Sequence, residues 1–225
     1  AKLESLGENS SPKAYYLKGY SYLKLNDYER AILALRHVLK DKDYALRDYA
    51  QFEIGEIYYA SKKFEWAISE YKNLLTNYPD SLLCDTSRVR IGQCLLLSGS
   101  LEAATDTFKA FIRDFPKSID LDSARFYLGR ALELQGKGRE AGRAYHEVVL
   151  YHPLSPYSKE AGKHLASLRK RYRISQSDVS AEAVFDRAII FLSREDYKSA
   201  RHELLNLVRL YPYSTITGDA LLKLG

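Results

Sequence analysis

Residues 52–81 read FEIGEIYYASKKFEWAISEYKNLLTNYPDS and contain a pattern that recurs along the chain. Apolar residues are spaced three and four positions apart, first as far as Tyr58 and again from Phe64, which is the spacing of a buried helix face. The polar Ser61-Lys62-Lys63 between the two runs is typical of a short turn. Pro79 ends the second run because proline cannot continue a helical hydrogen-bond ladder. The stretch therefore predicts two helices packed as an antiparallel hairpin.

Small residues recur at two fixed places in each predicted hairpin. In the first helices the small residues are Gly19, Gly55, Gly92, Gly129, Ala188 and Gly225. In the second helices they are Ala31, Ala67, Ala104, Ala141 and Ala200, each twelve positions after one of the first five. Successive glycines from Gly19 to Gly129 are 36, 37 and 37 residues apart. A period of this length is typical of repeat architectures. We expect the two small residues to let the paired helices approach closely.

A Pro-x-Ser step separates successive hairpins. It occurs at Pro79-Asp80-Ser81, Pro116-Lys117-Ser118, Pro153-Leu154-Ser155 and Pro212-Tyr213-Ser214. We expect each serine to cap the first helix of the next hairpin. Since each hairpin has apolar residues on more than one face, it must stack on its neighbours to bury them. The sequence thus predicts an all-α protein, an α-solenoid of about twelve helices.

One interval breaks the period, because Gly129 and Ala188 are 59 residues apart. The extra length fits one helix with its loop, with Ser155 as its cap and Pro156 in its first turn. The predicted organisation is then a tail at 1–12, four repeats at 13–154, an unpaired helix and joint at 155–174, a fifth repeat at 175–213 and the first helix of a truncated sixth at 214–225. The best linker candidate is Ser175-Gln176-Ser177-Asp178.

Composition limits the class of protein further. The chain has 225 residues, 46% of them hydrophobic, with 34 Lys and Arg against 29 Asp and Glu. That is enough for a core, and it excludes a disordered chain. No apolar run approaches the ~18 residues of a membrane span, and a net charge of +5 on a mixed surface indicates no specific nucleic-acid partner. Because the sequence lacks an initiator Met and stops inside a predicted first helix, we expect it to be part of a longer protein, with any export signal removed.

Cysteine and histidine spacing predicts no catalytic, metal or cofactor site. Cys84 and Cys94 lie on one predicted helix, about 15 Å apart at 1.5 Å per residue, which is too far for a disulfide. His146-Glu147 and His202-Glu203 each begin like the zinc motif His-Glu-x-x-His, but the second histidine is absent in both. Paired carboxylates such as Asp120 with Asp122 are expected to cap helices.

The densest basic run comprises Arg169, Lys170, Arg171 and Arg173. A functional interpretation is a contact with an anion or an acidic polymer. The alternative, which we favour, is that cations collect at a helix C-terminus because the helix dipole stabilises them there.

The order Ile54-Gly55, Tyr58, Phe64, Ala67, Tyr71, Tyr78-Pro79 resembles the tetratricopeptide repeat (TPR), and the likeness recurs in five hairpins. The resemblance implies a right-handed superhelix that binds a protein or peptide segment along its concave side, which the first helices line. We transfer the family's ligand-facing positions to this chain by aligning the repeat glycine or alanine of each first helix. The resemblance then implies these ligand-facing residues: Tyr16, Tyr20, Phe52, Glu56, Tyr59, Val89, Gln93, Leu96, Phe126, Arg130, Glu133, Phe185 and Ile189.

Details of the chain also resemble the N-terminal helical part of bacterial soluble lytic transglycosylases. The residues that carry the likeness are Tyr44-Ala45-Leu46-Arg47-Asp48-Tyr49-Ala50, Tyr78-Pro79-Asp80-Ser81 and the stretch from Tyr145 to Tyr157. The resemblance implies a non-catalytic scaffold in the periplasm or cell envelope, with peptidoglycan cleavage in a separate C-terminal domain. Two alternatives stay open: a periplasmic or lipoprotein TPR adaptor of the outer-membrane assembly or Tol-Pal type, and a cytoplasmic scaffold.

Overall fold

The computed structural model describes residues 11–172 and 180–224. That part of the chain contains twelve α-helices and no strand, which confirms the all-α class and the predicted number of helices. In chain order the helices are α1 Pro12–Lys24, α2 Tyr28–Val38, α3 Arg47–Ala60, α4 Phe64–Asn77, α5 Cys84–Leu97, α6 Leu101–Asp114, α7 Leu121–Leu134, α8 Gly138–Tyr151, α9 Ser158–Tyr172, α10 Ala181–Leu192, α11 Tyr197–Leu210 and α12 Thr217–Leu224.

The chain divides into two compact units, residues 1–120 with α1 to α6 and residues 121–225 with α7 to α12. In the first unit each helix packs on the next along the chain, so the three hairpins α1/α2, α3/α4 and α5/α6 stack in sequence order. In the second unit α7 pairs with α8 and α10 with α11, while α9 packs along α8. The predicted linker at residues 175–178 lies outside the described residues, and the predicted domain boundaries stay predictions.

Each repeat glycine faces a large side chain 16 residues later, not the alanine that the sequence pattern suggested. A Cβ added at Gly55 would lie 2.6 Å from Cε1 of Tyr71, and one at Gly129 would lie 2.7 Å from Cε1 of Tyr145. Leu35 and Phe108 take the same place against Gly19 and Gly92. All four of these large side chains are at most 1% exposed. The glycine therefore makes room for a ring or leucine that fills the centre of the hairpin.

The Pro-x-Ser step forms a bend instead of the predicted helix cap. Ser81 Oγ accepts a hydrogen bond from the N–H of Leu83 at 3.2 Å, and α5 begins after Leu83 with no side-chain cap. Ser81 Oγ also donates to Asp48 Oδ2 at 2.6 Å, which ties the loop to α3. The prediction failed because serine satisfied a backbone donor two residues ahead, as Ser and Thr commonly do in turns.

Helix α9 occupies the place of a first helix in the array. It begins at Ser158, three residues after the predicted cap, since Ser155 Oγ accepts from the N–H of Tyr157 in a bend. The ring of Tyr172 lies where a Cβ on Gly138 would stand, so α9 runs back along α8 to the start of that helix. Ala166, at the register of the repeat glycine, is exposed, so no second helix covers it in the described part of the chain.

The longest described helix, α9, has 15 residues, and none of the twelve combines the length and apolar character of a membrane span. Within residues 11–172 and 180–224, no group of three or more His, Cys, Asp and Glu side chains is arranged to hold a metal ion.

Candidate functional site

The residues predicted to line the concave side differ widely in exposure. Val89, Gln93, Leu96 and Phe126 are at most 8% exposed, so they contribute to packing between helices. Tyr20 is 49% exposed, and the remaining eight are half-buried. The surface that these first helices offer to a partner is therefore narrower than the sequence register indicated.

Aromatic side chains are concentrated on α1 and α3. Lys24 Nζ lies 5.1 Å from the ring centroid of Tyr20. The Phe52 ring centroid lies 5.7 Å from that of the buried Tyr71, and the Tyr59 ring meets Phe64 edge-on at 6.1 Å. Packing against the buried Tyr71 and the partly buried Phe64 holds Phe52 and Tyr59 in position, whereas half of Tyr20 is open to solvent.

Carboxylates lie among these rings. Burial and the neighbouring Glu56 raise the pKa of Glu53, and Lys24 offsets only part of this rise. Burial and the charge of Glu53 in turn raise the pKa of Tyr16. We call the surface formed by Tyr16, Tyr20, Phe52, Glu53 and Tyr59 the α1–α3 face. It combines aromatic contact area with a carboxylate whose ionised form is incompletely stabilised.

Glu56 is the centre of a polar network that links α3, α4 and α5. Tyr71 Oη donates to Glu56 Oε1 at 2.5 Å, and Arg90 Nη2 donates to Glu56 Oε2 at 2.8 Å. Arg90 Nη1 also donates to Gln93 Oε1 at 2.8 Å, and its guanidinium stacks over Tyr59 at 4.9 Å from the ring centroid. Glu56 and Gln93 are thus already engaged within the protein, and they hold Tyr59 in place.

A similar network occupies the fourth repeat, and α9 completes it. Glu133 Oε2 accepts from Tyr145 Oη at 2.8 Å and lies 2.9 Å from His164 Nδ1, while the His164 ring stacks on Tyr145 at 5.0 Å. Arg130 Nη1 lies 3.6 Å from Oε1 of Glu160 on α9. Two of the predicted ligand-facing residues, Arg130 and Glu133, therefore already contact α9.

Sequence reasoning missed Glu53, Arg90 and His164. One signal was available: Arg90 follows Gly55 by 35 residues, and His164 follows Gly129 by the same number. The shared spacing places Arg90 on α5, which packs on α4, and His164 on α9, which packs on α8. The pair Phe185 and Ile189 lies on α10, where Phe185 packs against the buried cluster of Val184, Leu204 and Leu207.

The cysteines are two free buried thiols, as predicted. Burial raises the pKa of Cys94 to about 12, so this thiol stays protonated at neutral pH. Cys84 Sγ donates to the carbonyl of Tyr78 at 3.3 Å. The Cys94 thiol therefore lacks the ionised form that a nucleophile requires.

The two His-Glu pairs take part in packing and ion pairs. Glu147 accepts from Arg125 Nε at 2.9 Å, and Glu203 forms an ion pair with Arg187. Arg125 Nη1 also donates to His152 Nε2 at 2.6 Å. Burial and the Arg125 charge lower the pKa of His152, with Asp122 acting in the opposite direction.

His152 should make unfolding easier in acid. Because its pKa in the folded state is below that in the unfolded state, the unfolded chain takes up more protons as the pH falls through ~6.5. We expect His152→Gln to reduce the loss of unfolding free energy between pH ~7.5 and ~5.5, measured by urea denaturation. Equal acid sensitivity in the two proteins would contradict this role.

Stacked hairpins with engaged polar networks and a partly open aromatic face define a helical repeat scaffold. Residues 16–82 match a family model described as a tetratricopeptide repeat, and residues 86–118 and 123–155 match a second model with the same description. These matches span more than half of the chain, and the chain belongs to the tetratricopeptide repeat family. No curated protein matches the sequence.

Solved structures share the fold at low sequence identity. The apo form of RapI has a TM-score of 0.62 and 12% identity, with 95% of this chain and 81% of that chain covered. A tetratricopeptide repeat protein from Parabacteroides merdae has a TM-score of 0.58 and 12% identity, covering 95% and 98%. PilF of Pseudomonas aeruginosa has a TM-score of 0.57 and 17% identity, covering 94% and 97%. At these identities the likeness shows the fold alone, an all-α TPR solenoid. Membership of the tetratricopeptide repeat family supports a protein-interaction scaffold.

Proposed function

We propose that the chain is an interaction scaffold whose α1–α3 face binds a partner segment, and that this partner segment contains basic residues. Two observations carry this proposal: Tyr20 of α1 is half-exposed, and burial and Glu56 raise the pKa of Glu53 on α3. Lys24, which lies over the Tyr20 ring, also acts on Glu53. Aromatic side chains supply much contact area at a small entropic cost, and they are common among the residues that dominate binding energy. A Lys or Arg of the partner would restore the stabilisation that the Glu53 carboxylate lacks.

The purified chain can be tested by selection against a phage-displayed library of random dodecapeptides, followed by titration of the selected peptides. We expect enrichment of peptides with Lys or Arg next to an apolar residue. Tyr20→Ala should weaken binding about 30-fold, as removal of an anchor of ~2 kcal/mol does, and Glu53→Gln should weaken it about tenfold.

Trp66→Ala is the matched control, because Trp66 is an aromatic residue that is 60% exposed on the second helix α4. It should leave the affinity within about twofold. Equal binding by wild type and Tyr20→Ala, with unchanged circular dichroism, would reject the α1–α3 face as the binding surface.

We further propose that the scaffold is the helical part of a bacterial cell-envelope protein such as a soluble lytic transglycosylase. The proposal is supported by the resemblance of the Tyr78-Pro79-Asp80-Ser81 step and of residues 145–157 to those enzymes. In such a protein this chain would position a separate domain that cleaves peptidoglycan.

The full-length protein should fractionate with the periplasm and release soluble muropeptides from purified cell wall, whereas residues 1–225 alone should release none. Periplasmic fractionation without release would favour the envelope adaptor. A cytoplasmic location would contradict both assignments.

A further inference from the structure

A cavity of about 310 Å³ lies among α8, α9, α10 and α11 in the second unit. The arginine, glutamate and histidine side chains that line it are Arg169, Arg187, Arg209, Glu203, His146 and His202. Three arginines against one carboxylate leave an excess of positive charge, even with both imidazoles neutral. Nothing in the proposed peptide-binding role of the α1–α3 face uses this cavity, which lies in the other unit.

Glu203 is already paired with Arg187. They form an ion pair in which the side chains of Arg187 and Glu203 are 16% and 13% exposed. Arg209 is exposed, and its Nη2 donates to Asn206 Oδ1 at 3.4 Å. The ion pair leaves the charge of Arg169 without compensation by Glu203.

Arg169 differs from the other cations in the last turn of α9. Lys170 and Arg171 are exposed, whereas Arg169 is half-buried and lines the cavity. Burial and the neighbouring Arg187 lower the pKa of Arg169. The Nε atoms of Arg169 and Arg187 are both buried, and neither has a hydrogen-bond partner within the described residues. Two arginines with orphaned Nε donors thus line one cavity with surplus positive charge.

We propose that this cavity binds a phosphate dianion, either free or as a small phosphate monoester. A guanidinium presents parallel N–H donors whose spacing matches the oxygens of a phosphate, so one anion would satisfy orphaned donors and relieve the repulsion between Arg169 and Arg187. Apolar side chains of Val149, Leu165 and Val184 line the same cavity and offer contact to the organic part of an ester. The helix dipole accounts for the exposed cations of this turn, but it does not account for buried donors without acceptors.

The test is calorimetric titration of residues 1–225 with inorganic phosphate and with phenyl phosphate, in buffered NaCl. We expect one site with a Kd of ~1 mM or tighter for at least one probe. Tighter binding of phenyl phosphate would identify an ester as the ligand, and equal or tighter binding of inorganic phosphate would identify the free ion. Arg169→Gln should weaken binding at least tenfold. Arg169→Lys should weaken it less, because lysine keeps the positive charge and loses only the parallel N–H donors of the guanidinium.

Lys170→Gln is the matched control, since it removes an adjacent exposed cation of the same helix turn, and its affinity should equal that of the wild type. Without ligand, Arg169→Gln should raise Tm, because the substitution removes a half-buried charge that repels Arg187. Absence of binding by both probes at ~10 mM, or equal binding by Arg169→Gln and wild type, would overturn the proposal.

Discussion

Gly129→Ala is expected to destabilise the second unit by about 3 kcal/mol. The new methyl group would lie 2.7 to 2.9 Å from three ring atoms of Tyr145, which is closer than van der Waals contact allows. The ring cannot move away easily, because it is fully buried, is stacked on His164 and is hydrogen-bonded through its hydroxyl to Glu133. Overpacking of a rigid core costs ~1–3 kcal/mol, and this site lies at the upper end. Urea denaturation followed by circular dichroism measures the loss.

Gly162→Ala is the matched control within the same unit. Among the described residues, the sole atom within 4 Å of a Cβ at Gly162 in α9 would be Val149 Cγ2, at 3.9 Å, which is an ordinary contact. Alanine is a better helix former than glycine, so this variant should gain ~0.5–1 kcal/mol. If Gly129→Ala were as stable as wild type, glycine would not be required against the ring.

Arg36→Ala should cost the first unit about 2–3 kcal/mol. The carboxylate of Glu70 is 5% exposed, and it accepts from Arg36 Nη2 at 2.6 Å and from the side-chain amide of Gln51. Removing Arg36 leaves a buried charge held only by a neutral donor. Breaking a buried pair costs ~3–5 kcal/mol, and the estimate is lower here because Arg36 is 46% exposed.

Arg113→Ala provides the comparison, since Arg113 pairs with Asp114 on the surface at 2.7 Å, with 75% and 47% of the side chains exposed. Its Tm should not change. Adding Glu70→Gln to Arg36→Ala should recover part of the loss, because it removes the uncompensated charge. No recovery in the double variant would show that the loss comes from packing of the Arg36 side chain.

The sequence period was sufficient to predict the hairpins, because glycine, alanine and proline recur at places where helices meet or end. It did not show which side chain faces each glycine. The predicted partner was the alanine, but the ring one helical turn later fills the space. The Ser81 cap was predicted wrongly for a different reason. A serine three residues before a helix can bond either within the bend or to the helix end, and the sequence does not distinguish the two.

The candidate sites were less predictable than the fold. The glycine register correctly places residues on first helices, but the exposure of a first-helix residue depends on how closely the next helix covers it. Val89 and Leu96 are buried. Arg130 and Glu133 are engaged by α9, which stands in the place of the next first helix. Arg169 appeared in the sequence as one of four similar cations, and only burial distinguishes it from Lys170 and Arg171.

The pairing of Gly129 with Tyr145, and of the other repeat glycines with their large side chains, also bears on how the chain folds. Every such contact joins positions 16 residues apart, so the loop that must close before the contact forms is short. Closure of a short loop loses little chain entropy, and proteins dominated by such contacts fold rapidly. Each hairpin can therefore form early from its own residues, and its neighbours then stabilise it by stacking.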